Sequence, residues 1–465
     1  MYKRLTKDFT KGNLLKQMLI YASALIATNI LQVLFHSADV VVLGLCLDGK
    51  LGDIAMGAVG ANGTLITFIT GLFIGLSTGT NVLISKYLGA KDSERVQRNV
   101  GMSILLPLIF GVIIFFVGFF GARAFLTMLN VKPELMELAV KYLKIYSFGF
   151  PLTLLYNFAS AILRAVGDTV RPLIYLIISG VSNIILNVVF VTVFNMTVEG
   201  VAIATIVSQG ISAILCIITL LKSKEICRLR LKHIRIYWGE LKDILLIGLP
   251  MGVQSMLFSF ANLYMQSSIN DIGDFATTGN TVGNSIDIIS YHVVHGIALT
   301  VLTFVGQNYG AKNYNRIIEV RNKAILLEVI IGLTAGVIVF LIALPLCEII
   351  ADGKEVIEIA KLRVTILCLS YFICGIMDCH SCLMRGLGRS VSAMIISLIG
   401  ACLLRVAWLK FLKMMPALSS NLTLIYITWP VSWIITIGIY LIVSSKVLKT
   451  VRKECETPIE TSIES

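Results

Sequence analysis

A single carboxylate stands out among apolar residues early in the chain. Asp39 lies in the stretch VLFHSADVVVLG at 33–44, directly before three valines. An acid at the centre of a membrane-spanning helix costs about 2.5–3.5 kcal/mol on insertion scales, so such residues usually face a bundle interior and mark an ion pathway. Alternatively, Asp39 could lie at the outer end of its helix, in contact with water.

Neutral oxygen-bearing side chains in two later segments could complete a site around this acid. Asn183 and Asn187 are four residues apart and therefore share one face of a helix. Thr205 falls in the next apolar segment. Hard cations such as Na⁺ take oxygen ligands, which carboxylate, amide and hydroxyl groups supply. The alternative for the asparagines is hydrogen bonding between helices.

The second half of the chain has its own polar set. Asp287 and His295 share one apolar segment, Asp378 lies in another, and Gln254 follows Pro250. Either acid could face a cavity and attract a cationic substrate, or pair with a neighbouring histidine, which could also relay protons. Aromatic residues such as Tyr264 could line that cavity through cation–π contacts, or simply pack.

The stretch DCHSC at 378–382 contains side chains that can ligate zinc. A structural zinc site needs four ligands, and no second cluster accompanies this one. Small residues in a spanning helix explain the cysteines better. Neither GxxxxGK[ST] nor HExxH occurs. We therefore expect no metal, no cofactor and no enzymatic activity, and active transport would have to use an ion gradient.

Composition identifies the elements that position these residues. The chain has 465 residues, of which 57% are hydrophobic and 14% charged, against about 25% charged in soluble domains. Apolar runs of about 20 residues, the length that spans a bilayer, recur throughout. We predict an all-α polytopic membrane protein with twelve transmembrane helices at about 14–44, 54–80, 98–120, 138–162, 172–195, 199–221, 244–269, 279–305, 324–347, 359–384, 391–413 and 421–445. Pro151 predicts a kink in the fourth.

The distribution of basic residues predicts the orientation. Lys and Arg concentrate in alternate loops, most densely at 222–243, while the opposite side holds fewer, among them Lys361 and Arg363. The positive-inside rule then places both termini in the cytoplasm. The net charge of +12 is explained by this topology, so nucleic-acid binding is not expected.

The chain also resembles itself. YLGAKDSER at 87–95 recurs as NYGAKNYNR at 308–316, and ILRAVGDTV at 162–170 recurs as LMRGLGRSV at 383–391, at the same offset. Two six-helix lobes of equal orientation follow, related by a pseudo-two-fold axis along the membrane normal, as in parallel-repeat transporters. A channel is the alternative, but channels more often gather several subunits around a pore.

This repeat predicts the domain organisation. We expect an N-terminal lobe at 1–221, a basic cytoplasmic linker at 222–243, a C-terminal lobe at 244–446 and a cytoplasmic tail at 447–465.

These motifs together resemble the multidrug and toxic compound extrusion (MATE) transporters over nearly the whole chain. The resemblance rests on the acid in HSADVVVLG, on SKYLGAKD, VGQNYGAKN, LRAVGDTVRP and MRGLGRS, and on SNIILNVVF followed by EGVAIATIVSQ. It implies V-shaped lobes around a central cavity, a monomer in the cell (inner) membrane, and export of organic, often cationic compounds driven by inward Na⁺ or H⁺.

The resemblance maps Asp39, Asn183, Asn187 and Thr205 onto the cation site of the family's N-terminal lobe. Many relatives have Asp where this chain has Asn187, so one carboxylate with neutral oxygens would bind one Na⁺ or exchange a proton. The neutral oxygens favour Na⁺. Some relatives place a cation between a Glu in helix 7 and an Asp in helix 10, but GLPMGVQSMLFSF at 248–260 has no acid.

We therefore predict a cation-coupled antiporter for small organic substrates. One alternative is a flippase for a lipid-linked precursor, although such proteins often have fourteen helices and a basic groove. A receptor or scaffold without transport is the other, and the repeat and the buried polar sets argue against it.

Overall fold

The computed structural model describes residues 6–47, 49–351 and 353–456. The described chain is helical throughout, as predicted. Its α-helices are α1 (Leu14–Cys46), α2 (Gly49–Gly89), α3 (Ser93–Met128), α4 (Pro133–Ser147), α5 (Phe150–Ala165), α6 (Val170–Thr192), α7 (Val198–Lys222), α8 (Trp238–Asn270), α9 (Asp274–Gly310), α10 (Tyr314–Leu327), α11 (Leu333–Ile350), α12 (Lys354–Cys368), α13 (Tyr371–Gly386), α14 (Ser390–Ser397), α15 (Leu404–Lys413), α16 (Pro416–Ser419) and α17 (Leu422–Glu456).

Short irregular helices join some of these elements. A 3₁₀ turn at Leu231–His233 precedes α8, and π-helical segments at Glu328–Gly332 and Leu398–Leu403 join α10 to α11 and α14 to α15. Within the described residues, ten helical spans are long and apolar enough to cross a membrane, or up to twelve if each of two bent pairs forms one span. The upper number equals the predicted twelve.

The first bent pair is the predicted fourth helix. α4 and α5 meet at an angle of 51°. Proline lacks an amide hydrogen, and its ring clashes with the carbonyl four residues earlier. Four residues before Pro151 is Ser147, where α4 ends. The kink predicted at Pro151 is therefore confirmed.

The second bend was not predicted, because it contains no proline. α12 and α13 meet at 43°. The hydroxyl of Ser370 donates to the carbonyl of Ile366, and it also lies 3.3 Å from the carbonyl of Leu367. Serine bonding back to a carbonyl of the preceding turn bends helices.

The two copies of the sequence repeat adopt the same local backbone. Lys91 and Lys312 have φ values of 59° and 56°, in the left-handed region. Directly after each of them, Asp92 or Asn313 caps the next helix by accepting a hydrogen bond from the amide three residues on. The equivalent residues of the two repeats therefore form equivalent turns.

The described residues form two compact units. The first comprises the described parts of Met1–Lys7, Ala27–Ile84 and Asp92–Ser255, and the second those of Asp8–Ile26, Ser85–Lys91 and Met256–Ser465. The predicted domains assigned whole helices to one lobe, whereas these units divide α1, α2 and α8. Those helices have 33, 41 and 33 residues, long enough for their two ends to pack in different surroundings.

Close helix packing holds the predicted site residues in the first unit. α6 lies along α7, and α3 packs against α4 and α5. Small residues permit this approach: a Cβ on Gly111 of α3 would lie 2.5 Å from the Cα of Pro151. In the second unit α9 contains many buried residues and packs against both α12 and α13.

Candidate functional site: the Asp39 cluster

Three helices of the first unit bring the four predicted cation-site residues together. Asp39 lies on α1, Asn183 and Asn187 on α6, and Thr205 on α7. All four side chains are buried. Because the two asparagines are one helical turn apart, both face the same side of α6. We call these four residues the Asp39 cluster.

Hydrogen bonds link every member of the cluster. The amide nitrogen of Asn187 donates to Oδ1 of Asp39 at 2.8 Å, and the Thr205 hydroxyl donates to Oδ2 at 3.2 Å. The Asn183 amide lies 3.3 Å from the Thr205 hydroxyl, and its own oxygen accepts from Asn187 at 3.3 Å. The carboxylate thus has a hydrogen-bond donor at each oxygen.

The cluster contains no basic side chain. Asp39 is 6% exposed, and no lysine, arginine or histidine forms an ion pair with it among the residues that the structure describes. The side-chain oxygen of Asn187 is buried and accepts no hydrogen bond. Burying a carboxylate is expensive unless it is paired, so this arrangement suits a small external cation with oxygen ligands, or a proton.

A close helix contact fixes the position of Asp39. Phe35 lies one turn before it on α1, and its ring covers Gly180 of α6 so closely that a Cβ there would lie 2.0 Å from the ring. Glycine at 180 therefore lets α1 approach α6, which carries Asn187 about two turns further on. The contact positions the carboxylate opposite its amide donor.

A cavity of about 130 Å³ adjoins the cluster within the first unit. Asp39, Asn183 and Thr205 contribute to its wall, together with Tyr146 and Gln32. A water-filled or ligand-filled space of this size gives a cation a place from which to reach the carboxylate.

The second unit neutralises its most buried aspartate internally. Asp287 on α9 accepts a hydrogen bond from Nε of Arg363 at 2.7 Å and from the Tyr371 hydroxyl at 3.3 Å. The other two guanidinium nitrogens donate to Asn280 and Asn284, each at 2.7 Å. The partner of Asp287 is thus an arginine, not the neighbouring histidine considered from the sequence.

Asp378 and His295 meet, as one of the two interpretations of the sequence proposed. Nδ1 of His295 lies 3.3 Å from Oδ2 of Asp378, and its ring stacks on Tyr291 at 5.4 Å. The other two residues of the predicted cavity set have separate surroundings. Gln254 is buried in the first unit, and Tyr264 in the second lies under the ammonium of Lys413 at 5.6 Å.

Two buried charges were missed from the sequence. Arg363, placed among the charges outside the membrane, is 5% exposed inside α12 because Asp287 and two asparagines satisfy it. Glu328 is fully buried in a π-helical segment, and within the described residues its carboxylate accepts a hydrogen bond from the Cys379 thiol alone. The sequence feature that could have predicted a buried charge is a single charged residue within an apolar run, such as Glu328 in AILLEVIIG at 324–332.

Comparisons with known proteins agree with the sequence resemblance. A family model described as MatE matches residues 24–189 and 250–409. The chain is 28% identical over 393 residues to the probable multidrug resistance protein NorM of Thermotoga maritima, which covers 83% of this chain and 82% of that protein. It is 29% identical over 314 residues to the probable multidrug resistance protein YpnP of Bacillus subtilis, with 67% and 68% covered.

Solved structures share the fold. An outward-facing multidrug resistance MATE family transporter of the MOP superfamily superposes with a TM-score of 0.87 at 20% identity, over 96% of this chain and 98% of that one. The Vibrio cholerae MATE transporter VcmN in its bent form gives 0.84 at 20% identity, over 94% and 98%. Because the family model covers well over half of its length, the chain belongs to the MATE family of membrane transporters and is not an enzyme.

Proposed function

We propose that this transporter is an antiporter that exports organic, mainly cationic compounds in exchange for inward Na⁺ or H⁺ bound at Asp39. One observation carries the proposal: a buried carboxylate has neutral hydrogen-bond partners only. A carboxylate of this kind needs a cation to offset its burial. A cation from outside can supply that charge and leave again on the other side.

The ligand set supports Na⁺ over a proton. A proton needs a single carboxylate oxygen, whereas Na⁺ needs several oxygens around it. The Asp39 cluster supplies amide and hydroxyl oxygens, including an Asn187 oxygen that accepts no hydrogen bond. Binding of Na⁺ would draw these oxygens together around the ion.

Alternating access would couple this binding to substrate export. A ligand shifts a conformational equilibrium only through its differential affinity for the two states. We infer that the bound cation favours one arrangement of the N-terminal lobe (1–221) and the bound substrate another, while the C-terminal lobe (244–446) completes the pathway. The protein would act as a monomer in the cell membrane, with both termini in the cytoplasm.

The names of relatives support the substrate class. Both curated relatives described above are named as probable multidrug resistance proteins. By extension, small organic compounds are the substrates to test first, and no cofactor is needed because the ion gradient supplies the energy.

Efflux from proteoliposomes tests the proposal. Purified protein would be reconstituted into liposomes, which are then loaded with a fluorescent organic cation. Na⁺ and pH gradients would be imposed separately across the membrane. Asp39→Asn keeps the shape of the side chain but removes its charge, so we expect gradient-driven efflux to fall to the background of empty liposomes.

Asp53→Asn is the matched control, because Asp53 is an exposed aspartate on α2 outside the cluster. It should transport like the unmodified protein. Equal efflux by Asp39→Asn and the control would remove Asp39 from the mechanism. Efflux that responds to neither gradient would refute cation coupling.

A further inference from the structure

The second unit buries a positive charge that no acidic residue neutralises. Arg405 on α15 is 3% exposed. Among the described residues, no aspartate or glutamate forms an ion pair with it, and its one hydrogen bond runs from Nε to the Ser432 hydroxyl at 2.9 Å. A buried charge without a partner is expensive, so its presence calls for an explanation.

Two tryptophans of α17 surround the guanidinium. Its central carbon lies 5.8 Å from the ring of Trp429 and 5.7 Å from that of Trp433. Such cation–π contacts stabilise a desolvated cation electrostatically. We call Arg405, Ser432, Trp429 and Trp433 the Arg405 cage.

A second arginine shows what a fully satisfied guanidinium looks like in the same unit. Arg363 lies 5.5 Å from the same Trp429 ring. Each of its three nitrogens donates to an oxygen, on Asp287, Asn280 and Asn284. Arg405 has the aromatic contacts but only one oxygen acceptor among the described residues, the Ser432 hydroxyl. The two terminal nitrogens of its planar fork therefore have no acceptor within the described part of the chain.

Aromatic rings and oxygen acceptors satisfy different parts of a guanidinium. A ring contacts the flat face, whereas the N–H groups point outward in the plane of the fork. A carboxylate, sulfonate or phosphate presents two oxygens at the spacing of that fork and forms two charge-assisted hydrogen bonds. Trp429 is only half-buried, so the cage is not sealed by its own residues.

The surrounding backbone is irregular in the way that functional sites often are. The π-helical segment Leu398–Leu403 ends directly before α15, two residues before Arg405 on the chain. π-helical turns are rare and frequently mark functional positions.

We propose that the Arg405 cage binds the anionic group of an organic substrate, a carboxylate, sulfonate or phosphate. The transporter would then accept zwitterionic or anionic compounds as well as cations. This role in export rests on the proposed transport function, but binding to the cage can be measured without any gradient.

Tryptophan fluorescence reports binding at this site. The chain contains four tryptophans, at 238, 408, 429 and 433. Replacing the two that are not part of the cage (Trp238→Phe and Trp408→Phe) leaves the signal to Trp429 and Trp433. The detergent-solubilised protein would be titrated with cyclohexanecarboxylate, and with cyclohexanecarboxamide and cyclohexylammonium as neutral and cationic probes of the same shape.

We expect a saturable change with the carboxylate only. Arg405→Met removes an unpaired buried charge, so it should fold and should weaken carboxylate binding by about tenfold or more. Arg405→Lys keeps the charge without the planar fork and should bind with intermediate affinity. Arg452→Gln, at an exposed arginine of α17, should bind like the parent.

The outcomes separate the possible occupants. A lipid phosphate would be revealed in nanodiscs by a fluorescence change that requires phosphatidylglycerol, depends on Arg405 and ignores the carboxylate, and this result would overturn a substrate site. Equal responses to all three probes, or none, would also overturn the proposal. Asp39→Asn should retain carboxylate binding, so a failure of cation coupling and a failure of this site remain distinguishable.

Discussion

Each of the two units buries an aspartate beside a pair of asparagines four residues apart. In the first unit Asp39 bonds to Asn187 on α6, which bonds to Asn183, and no basic residue in the described ranges pairs with the acid. In the second unit Asp287 shares Arg363 with Asn280 and Asn284 on α9. The same residue types therefore produce two electrostatic environments, and the difference is one arginine.

This difference separates a structural site from an exchangeable one. Arg363 is part of α12 and therefore does not diffuse away from Asp287. The ion pair between them persists in every state of the transporter in which α12 packs on α9. In the proposed function Asp39 is neutralised by a cation that arrives from outside. A coupling site needs this property, because its ligand must bind on one side of the membrane and leave on the other.

The largest effect is expected from breaking the internal pair. Asp287→Asn leaves Arg363 buried and charged without its partner, which typically costs about 3–5 kcal/mol. Asp39→Asn removes a charge that pairs with no basic side chain among the described residues, and it should change stability far less. Thermal unfolding in detergent measures both: the midpoint should fall clearly for Asp287→Asn and little for Asp39→Asn.

A double variant tests whether the unpaired charge of Arg363 causes the destabilisation of Asp287→Asn. Asp287→Leu with Arg363→Met removes both charges and keeps an apolar core, and such replacements are often neutral. It should recover most of the lost midpoint. Equal midpoints for the two single asparagine variants would show that the two aspartates are equivalent, and the comparison would fail.

A smaller effect on stability and efflux is expected from changing the contact between α1 and α6 that positions Asp39. Gly180→Ala would place a methyl group 2.0 Å from the Phe35 ring, and overpacking of this kind costs about 1–3 kcal/mol. Since Phe35 and Asp39 share one face of α1, moving the ring also moves the carboxylate away from Asn187. We expect lower gradient-driven efflux together with a lower unfolding midpoint.

Gly60→Ala is the matched control, because a Cβ on Gly60 of α2 would meet no atom within 4 Å. It should behave like the parent in both assays. If the two alanine variants transport equally well, the contact between α1 and α6 does not position the site.

Most of the helical architecture could be predicted because the sequence features that determine it are local. Apolar length gives the spans, and the repeat gives two matched sets of turns. Pro151 gives a kink through the hydrogen bond that it cannot make. The four-residue spacing of Asn183 and Asn187 likewise fixes a shared face without any knowledge of tertiary contacts.

What the sequence could not give depends on distant pairing. Arg363 and Asp287 lie far apart along the chain, and only packing of α12 on α9 decides that Arg363 is buried. The bend at Ser370 depends on the hydrogen bond from its hydroxyl to the carbonyl of Ile366. The sequence does not specify this acceptor, because a serine in an apolar run can bond to several different groups. Glu328 and Arg405 similarly require knowledge of what surrounds them.

The smallest effect concerns a single hydroxyl of the Asp39 cluster. Thr205 lies 3.2 Å from Oδ2 of Asp39 and 2.9 Å from the carbonyl of Val201, so its one proton is shared between an acid and the backbone. Thr205→Val keeps the shape and removes the oxygen, whereas Thr205→Ser keeps the oxygen. A hydrogen bond of this kind contributes about 0.5–1.5 kcal/mol, so the cation concentration for half-maximal efflux should rise by about tenfold at most in the valine variant and stay near the parent value in the serine variant. Serine and valine variants with equal cation requirements would show that the hydroxyl only bonds to the backbone carbonyl of Val201 and takes no part in cation binding.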